Sequence, residues 1–524
     1  MYQRVDWQQE PDAGLQQDAL FPASAEAAQA KTTVRVVSRF LIFIALYFRD
    51  RNPHDSVPVG TEFDGKFAQT SQNDNTILTA QIEECTISDG KSDGDQSLES
   101  AAQAKGCVCP IREFVYRWHA GLAVEVCATG IWITCERASL YLDNAATSFP
   151  KPDCVCDAVD RWMRAGAASA GRGSHRGTDD AAKVVDNCRR QVAQLLGVCS
   201  ASQIVFTLNC TDSLNTVIQG FLRQGDRVIA SDLDHNSVLR PLHAMQERSG
   251  VLCDLVGFDP VSGLIDVEDF ARRLAGPPVR LVILNHASNV TGGVQPVVEL
   301  TQMAHAAGAA VLLDAAQTAG HWPIDMLSTG VEFLSAAGHK GLLGPLGTGV
   351  LCIRQGLENQ LQPLRFGGTG TSSERMSQPE TMPARFESGN LNLPGIAGLE
   401  AATNWILERG VETLQTHLSA LTQRLLRGLG EIRNVRLLTP TSAGDIIGIV
   451  SFNINCMDCR DVAMILDQSF DIQCRAGLHC APLAHQTLGT IEGGGTIRFS
   501  PGVFTHEEDI DAAIAAVRTI SDSL

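Results

Sequence analysis

Residues 309–317, AAVLLDAAQ, contain a short apolar run that ends at Asp314. A continuous apolar run of this length is typical of a strand buried on both faces of a parallel sheet. Four other runs have the same character: QIVFTL (203–208), DRVIAS (226–231), VRLVILNHAS (279–288) and VEFLSAAG (331–338). Amphipathic segments such as 181–197 and 297–308 lie between them. The alternation predicts an α/β domain with a mainly parallel sheet, whose ligands bind at the carboxyl ends of the strands.

The organisation of the chain changes near residue 139. We predict that residues 1–138 are an irregular, disordered extension, because they contain polar stretches such as QTSQNDNT and SDGKSDGDQSLES. Residues 139–395 form the predicted large domain. Residues 396–524 form a predicted smaller α+β domain, since long amphipathic helices there are followed by separate strand candidates.

The role of the N-terminal extension has three open interpretations. It could be a regulatory arm, a peripheral membrane anchor or an upstream sequence wrongly joined to the gene. The anchor would use FLIFIALYF (40–48), a run too short for the roughly 20 residues that span a bilayer. We therefore expect no transmembrane segment.

Charge and cysteine usage restrict the class of protein. A net charge of −18 argues against nucleic acid or an anionic membrane as a partner. The 16 cysteines are spread along the chain without the dense framework of a small secreted scaffold. The C-x2-C and C-x-C pairs lack the further ligands that a structural zinc site requires. We expect reduced thiols, no metal and a cytoplasmic location.

Polar residues follow the predicted strands at positions where a buried sheet would not otherwise have them. The Asp314 carboxylate could pair with a protonated ring nitrogen, and the Gln317 amide could bond a phenolic oxygen. His339 and Lys340 follow the strand at 331–338, amid glycines that allow a ligand to approach the backbone.

Two further strand ends complete the set. TLNCTDSLN (207–215) supplies Thr211 and backbone amides where a phosphate could bind, and His235 follows another strand. Each residue alone has a simpler interpretation: Lys340 as a surface lysine, Asp314 as a helix cap, His235 as a hydrogen-bonded core residue. Together they match pyridoxal phosphate, which needs a Schiff-base lysine, an acid for the pyridinium nitrogen and a phosphate cradle.

The segment CRAGLHCAPLAH (474–485) surrounds one thiol, Cys480, with a cation, a glycine and two histidines: Arg475, Gly477, His479 and His485. A cation beside an accessible thiol favours the reactive thiolate. A free cysteine is also among the most buried residue types, and it often packs as a small hydrophobe. The residues alone leave both interpretations of Cys480 open.

Nine motifs, in order along the chain, resemble one family. They are YLDNAATSFPKP, GSHRGT, DHNSVLRP, HASNVTGG, LLDAAQTAGHWPID, GHKGLLGPLGTG, RFESGNLNLPGIAGL, CRAGLHCAPLAH and TIRFSPGVFTHEEDID. Residues 139–524 resemble class V aminotransferase-fold enzymes, and more narrowly the cysteine desulfurase and selenocysteine lyase branch, group II (SufS-like). The resemblance implies a fold type I pyridoxal phosphate enzyme.

The resemblance implies a role for each matching residue around the cofactor. Lys340 would bind it covalently and later move the substrate α-proton. Asp314 would keep the pyridine nitrogen protonated, Gln317 would bond the ring hydroxyl and His235 would stack on the ring.

The same resemblance implies how the phosphate is held. Thr211, His339 and the backbone at Cys210 would bind it, and Thr369 would reach the phosphate of a partner subunit in a homodimer. Cys210 and Ala337 depart from the family pattern, as does Asn390 in place of a threonine, so one phosphate hydroxyl is absent at Ala337.

The remaining implied roles concern the substrate. Arg498 would bind the carboxylate of L-cysteine as a planar fork, with Asn289 nearby and His175 at the entrance. Cys480 would take the sulfur as a persulfide for an acceptor protein in sulfur metabolism, such as iron–sulfur cluster assembly. Selenocysteine lyase, another class V reaction and a non-catalytic sulfur carrier with this fold are the alternatives.

Overall fold

The structure is a computed structural model, which describes residues 139–524 except 167, 172, 174 and 441–444, together with five strands before residue 136. The chain divides into two compact units, Met1–Cys135 and Glu136–Leu524. The boundary predicted at residue 396 lies inside the second unit, and it stays a prediction. None of the helices that the structure describes is long and apolar enough to cross a membrane.

The first unit contains an antiparallel sheet in the order β1-β2-β5-β4-β3. Its strands are β1 (Lys66–Gln72), β2 (Asn75–Gln81), β3 (Phe114–Arg117), β4 (Leu122–Cys127) and β5 (Gly130–Cys135). Part of the extension that was predicted to be irregular forms strands: within QTSQNDNT, Gln72 of β1 pairs with Asn75 of β2. The apolar run at 40–48 and the polar stretch at 88–100 lie outside the described residues.

The second unit has thirteen strands within its described residues. They are β6 (Leu140–Tyr141), β7 (Ile204–Thr207), β8 (Arg227–Ser231), β9 (Leu252–Val256), β10 (Leu281–Asn285), β11 (Ala310–Asp314), β12 (Phe333–Ala337), β13 (Gly349–Ile353), β14 (Val435–Leu437), β15 (Val450–Ile454), β16 (Ile472–Gln473), β17 (Arg475–Gly477) and β18 (Thr496–Phe499).

Its α-helices, within the same residues, number twelve. They are α1 (Asp153–Ala165), α2 (Arg176–Leu195), α3 (Cys210–Phe221), α4 (Asn236–Ser249), α5 (Val267–Leu274), α6 (Val297–Ala306), α7 (Met326–Thr329), α8 (Leu393–Arg409), α9 (Val411–Gly430), α10 (Cys459–Phe470), α11 (Pro482–Thr487) and α12 (Glu507–Asp522).

The central sheet has seven strands in the order β7-β13-β12-β11-β10-β8-β9. The strands that the apolar runs predict, β7, β8, β10, β11 and β12, are confirmed. Only β13 runs antiparallel to its neighbours β12 and β7. β10 and β12 are buried at every position, and β11 at every position after Ala310, as expected for strands covered by helices on both faces. The fold is therefore α/β, with the mainly parallel sheet that the sequence predicts.

The C-terminal part of the second unit has its own antiparallel sheet, in the order β14-β15-β18-β17. Leucines, isoleucines and valines of α9, α10 and α12 pack against it in a separate apolar cluster. Leu142, which follows β6, is fully buried in this cluster, and β6 pairs in parallel with β16. The first described residues of the second unit therefore pack with its C-terminal part, through a separate two-stranded sheet of β6 and β16.

Candidate active site

The candidate site lies at the carboxyl edge of the central sheet. Asp314 is the last residue of β11 and pairs in register with Asn285 of β10 and Ser335 of β12. Lys340 follows β12 by three residues. Parallel strands bring their carboxyl ends to one edge, where a ligand can bind.

Asp314 is a buried acid with few partners. Its side chain is 5% exposed, and Oδ1 accepts from the Ala316 N–H at 2.9 Å and from the Cys210 thiol at 3.5 Å. Burial raises the pKa of Asp314, while these donors and the charge of Lys340 oppose the rise. A buried carboxylate of this kind is suited to a cationic partner.

Lys340 projects from a tightly packed loop. The Gly344 N–H donates to the Gly338 carbonyl at 2.7 Å, and a Cβ at Gly338 would collide with Thr348. Burial lowers the pKa of Lys340, opposed by the charge of Asp314. Because burial favours the neutral amine, Lys340 can act as a nucleophile or base.

His235 is held in one tautomer at the start of α4. Its Nδ1 accepts from the Ser237 N–H at 3.0 Å, so the ring proton lies on Nε2. Burial, followed by the charge of Lys340, lowers the pKa of His235 to about 4. The imidazole is therefore neutral at physiological pH.

The start of α3 faces the same region. Thr211, in its first turn, lies with Oγ1 2.8 Å from the Ser237 hydroxyl, which links α3 to α4. Burial and the charges of Lys340 and Lys151 lower the pKa of His339 to about 4, and its Nδ1 is buried without a partner. A helix start and an unpartnered imidazole nitrogen together suit an anion such as a phosphate.

Arg498 is a fully buried cation in β18. Nη2 donates to Asp143 Oδ1 at 2.8 Å and Nη1 to the Asn289 carbonyl at 3.1 Å, while Nε has no partner. The Asn289 side chain donates from Nδ2 to the His479 carbonyl at 2.6 Å and leaves Oδ1 buried and unpartnered. These free atoms are available to a polar substrate.

Cys480 is exposed on a strained loop after β17. His479 and Cys480 both have positive φ, 48° and 59°, a conformation that costs free energy in residues with a Cβ. The loop is anchored at both residues: Asn289 holds the His479 carbonyl, and the Asn236 N–H donates to the Cys480 carbonyl at 2.7 Å. The Arg475 Nη2 lies 3.7 Å from the Cys480 Sγ.

Comparison with known proteins identifies the family. The sequence profile described as aminotransferase class-V matches residues 140–513. The chain belongs to the class-V aminotransferase family. A Methanothermobacter thermautotrophicus protein named "Probable cysteine desulfurase" is 36% identical over 381 residues, which cover 71% of this chain and 92% of that protein. The "Cysteine desulfurase" of Yersinia pseudotuberculosis strain IP 31758 is 32% identical over 393 residues, 74% of this chain and 94% of its own.

Solved structures of class-V enzymes agree with this assignment. The apo cysteine desulfurase of Thermococcus onnurineus aligns with a TM-score of 0.69 at 32% identity, and the alignment covers 74% of this chain and 95% of that one. The cysteine desulfurase CsdA of Escherichia coli aligns with a TM-score of 0.67 at 28% identity, over 74% of this chain and 96% of its own. The first unit of the present chain lies outside the profile match.

Class-V enzymes of this kind use pyridoxal phosphate, and the residues present fit it. Lys340 offers a buried amine, and the carboxylate of Asp314 is 5% exposed and within its electrostatic reach. The unpartnered His339 Nδ1 and the start of α3 suit the phosphate. Buried polar atoms without partners are rare in proteins, and they commonly mark a ligand site. Within the described residues, no cluster of three or more His, Cys, Asp or Glu side chains could hold a metal ion.

Three predicted residues lie at the margins of this arrangement. Gln317 donates from Nε2 to the Ala145 carbonyl at 3.1 Å and lines a cavity with Lys340. His175 is exposed, and its Nε2 lies 3.3 Å from the Thr178 hydroxyl. Thr369 is partly exposed, with its hydroxyl 3.0 Å from that of Thr371. The roles of these residues stay predictions.

Sequence reasoning missed the role of two residues within the motif YLDNAATSFPKP. Asp143 neutralises Arg498, and Lys151 donates to the His339 carbonyl at 2.9 Å. Both lie far in sequence from their partners, so no local pattern predicts these contacts.

Proposed function

We propose that the protein is a pyridoxal phosphate-dependent cysteine desulfurase. It converts L-cysteine to L-alanine and retains the sulfur as a persulfide on Cys480. The observation that carries this proposal is the exposed thiol of Cys480 beside Arg475, next to a site that combines Lys340, Asp314 and Arg498. Exposure and a neighbouring cation are the properties of reactive rather than structural cysteines.

The residues of the site divide the work of activating the substrate. Pyridoxal phosphate, when bound, withdraws electrons from the substrate α-carbon. Arg498 binds the substrate carboxylate through donors that Asp143 and Asn289 do not use. The Lys340 amine removes the α-proton, which the lowered pKa of Lys340 favours because the neutral amine is the base.

Cys480 then takes the sulfur. Its thiolate attacks the substrate sulfur, so that an S–S bond forms while the bond between that sulfur and the substrate β-carbon breaks. The electron pair of the broken bond stays on carbon, which gains protons and leaves as L-alanine. Overall, one cysteine and one thiol give one alanine and one persulfide, with no external oxidant.

The proposal extends to partners and location. A persulfide on an exposed residue is accessible to a sulfur-acceptor protein. The segment that carries Thr369 also contains the exposed apolar side chains of Phe366 and Met376, a surface composition that suits burial by a second subunit. We propose a homodimer, in which Thr369 reaches the partner's phosphate, working in the cytoplasm on reduced substrate.

The C480A variant tests this function, with C456A as a control because Cys456 is also exposed. Purified protein loaded with pyridoxal phosphate is incubated with L-cysteine and a thiol reductant, and the alanine and sulfide that form are measured. Separate incubations replace L-cysteine with the rival substrates L-selenocysteine and L-alanine. C480A should release no sulfide while it keeps the visible band of the bound cofactor, and C456A should match the wild type. Full sulfide release by C480A would overturn the proposal.

A further inference from the structure

The His339 carbonyl, directly before Lys340, is surrounded by donors from one short segment. The Lys151 ammonium lies 2.9 Å from it, the Ser148 N–H 3.0 Å, the Ser148 hydroxyl 3.1 Å and the Thr147 hydroxyl 3.2 Å. The Ser148 hydroxyl also lies 3.0 Å from the Lys340 carbonyl. A carbonyl has two lone pairs, so this acceptor is saturated from residues almost 190 positions away in sequence.

Lys151 is the unusual member of this group. It is partly buried, and burial lowers its pKa to about 8. The Lys151 ammonium donates only to neutral groups, the Ser148 hydroxyl at 2.7 Å and the His339 carbonyl, and none of the ion pairs in the described part of the chain includes it. Desolvating a cation without an anionic partner costs free energy, and such groups concentrate at functional sites.

We infer that Lys151 is a positioning residue for Lys340: its ammonium holds the His339–Lys340 peptide in the orientation from which the Lys340 side chain reaches the cofactor. A charged donor makes a stronger hydrogen bond to a carbonyl than a neutral one does. Lys151 therefore fixes this peptide more firmly than Thr147 and Ser148 alone. The inference rests on the proposed function in taking Lys340 as the cofactor lysine.

A second effect of Lys151 acts on the neighbouring side chain. Burial is the main cause of the lowered pKa of His339, and the charges of Lys340 and then Lys151 add to it, so that the imidazole, whose Nδ1 is unpartnered, is neutral. Besides Lys151, the charge of Lys340 acts on His339. The group that acts on Lys151 through its charge is Cys156. One cation thus contacts the backbone before Lys340 and adds to the effect of burial on the adjacent imidazole.

The experiment compares K151M and K151R with K183M, which changes an exposed lysine of α2 paired with Asp180. Apoprotein is mixed with pyridoxal phosphate, and the rate at which the visible absorption band appears is measured. The visible circular dichroism of the loaded protein is recorded separately, because it reports the orientation of the cofactor. K151M should load about tenfold more slowly, with weaker circular dichroism, because small displacements of a reacting group are costly. K151R should recover much of both signals, and K183M should match the wild type.

Other outcomes decide against the inference. A lower melting temperature of K151M apoprotein with wild-type loading rate and circular dichroism would mean that Lys151 only stabilises the fold. K151Q, which keeps an N–H donor without the charge, replaces K151M if that variant does not fold, and wild-type signals in K151Q would also overturn the inference. K340A separates this inference from the proposed function: cofactor that stays attached to K340A after borohydride reduction and denaturation would refute the assignment of Lys340 as the cofactor lysine. If K340A retains no attached cofactor while K151M and K151Q load as the wild type does, only the role of Lys151 is refuted.

Discussion

Arg475 and Arg498 lie directly opposite each other on the antiparallel strands β17 and β18, so their side chains share one face of the small sheet. Like charges in this position repel. Arg498 is neutralised by Asp143, whereas the Arg475 guanidinium lies beside the Cys480 thiol at 3.7 Å. The Arg475 guanidinium is therefore next to the Cys480 sulfur, whereas that of Arg498 is paired with the Asp143 carboxylate.

Replacement of Arg475 should therefore reduce the reactivity of Cys480. We expect R475A to slow alkylation of Cys480 by iodoacetamide about tenfold at neutral pH, with R475K intermediate, because the variant lacks the cation that lies 3.7 Å from the sulfur and a neighbouring cation is typical of reactive cysteines. The site of alkylation is followed by mass spectrometry. R460A, which changes an arginine near the start of α10, should react as the wild type does. Equal alkylation rates in R475A and the wild type would show that Arg475 does not activate the thiol.

The pair of Asp143 and Arg498 should control substrate affinity. D143N leaves the fully buried guanidinium of Arg498 without its anion, and breaking such a pair costs about 3 kcal/mol of unfolding free energy. The KM for L-cysteine should rise about tenfold, since the fork that binds the carboxylate loses its orientation. Steady-state kinetics and urea unfolding measure the two effects. D160N, in an exposed pair with Arg164, should change neither, and an unaltered KM in D143N would contradict this role.

The thiol of Cys210 should contribute to cofactor binding. In C210A, Asp314 loses one of its two donors, the thiol at 3.5 Å, and keeps the Ala316 N–H. The ionised carboxylate is then less stable, and we expect the Kd for pyridoxal phosphate to rise about fivefold, the equivalent of one weak hydrogen bond. Equilibrium titration of apoprotein gives the Kd. C352A removes another buried thiol, in β13, and should bind as the wild type does; the same Kd in both variants would assign no role to Cys210.

Acid should destabilise the fold through its buried histidines. Burial lowers the pKa of His286 from 6.5 to about 4, so the unfolded state binds more protons than the folded state between these values. The contribution of His286 is fully present above pH 6.5 and is lost as the pH falls towards 4. As the pH is lowered across this range, the free energy of unfolding should fall less steeply in H286Q than in the wild type. H243Q, at an exposed position, should show the same dependence on pH as the wild type. If the curves of H286Q and the wild type are parallel, His286 does not contribute to the loss of stability in acid.

The central sheet was predictable from the sequence because its strands are continuous apolar runs. Each of β10, β11 and β12 lies inside the run that predicts it, since strands covered on both faces need apolar residues throughout. β13 was not predicted: nothing in GVLCI specifies that it enters the sheet antiparallel between β12 and β7. Pairing of this kind depends on the path of the chain and not on local composition.

The candidate site was predictable in part, for a related reason. Asp314 and Lys340 stand next to recognisable strands, so their positions at the sheet edge follow from local patterns. The contacts of Asp143 and Lys151 join segments far apart in sequence. The side-chain amide of Asn289 likewise donates to the His479 carbonyl. The sequence predicts only that Asn289 lies near the substrate carboxylate, and it does not predict this contact with the Cys480 loop.

The pairing of β6 with β16, and of Asp143 with Arg498, has a consequence for biosynthesis. Asp143 and Arg498 are separated by 355 positions, so the ion pair that holds the proposed carboxylate-binding residue cannot form until nearly all of the second unit has been translated. Contacts between such distant segments form slowly, and until then Leu142 has no apolar cluster in which to be buried. A nascent chain can build the central sheet, but it carries no finished substrate site, and premature termination before Arg498 would yield a protein that cannot bind its substrate in this way.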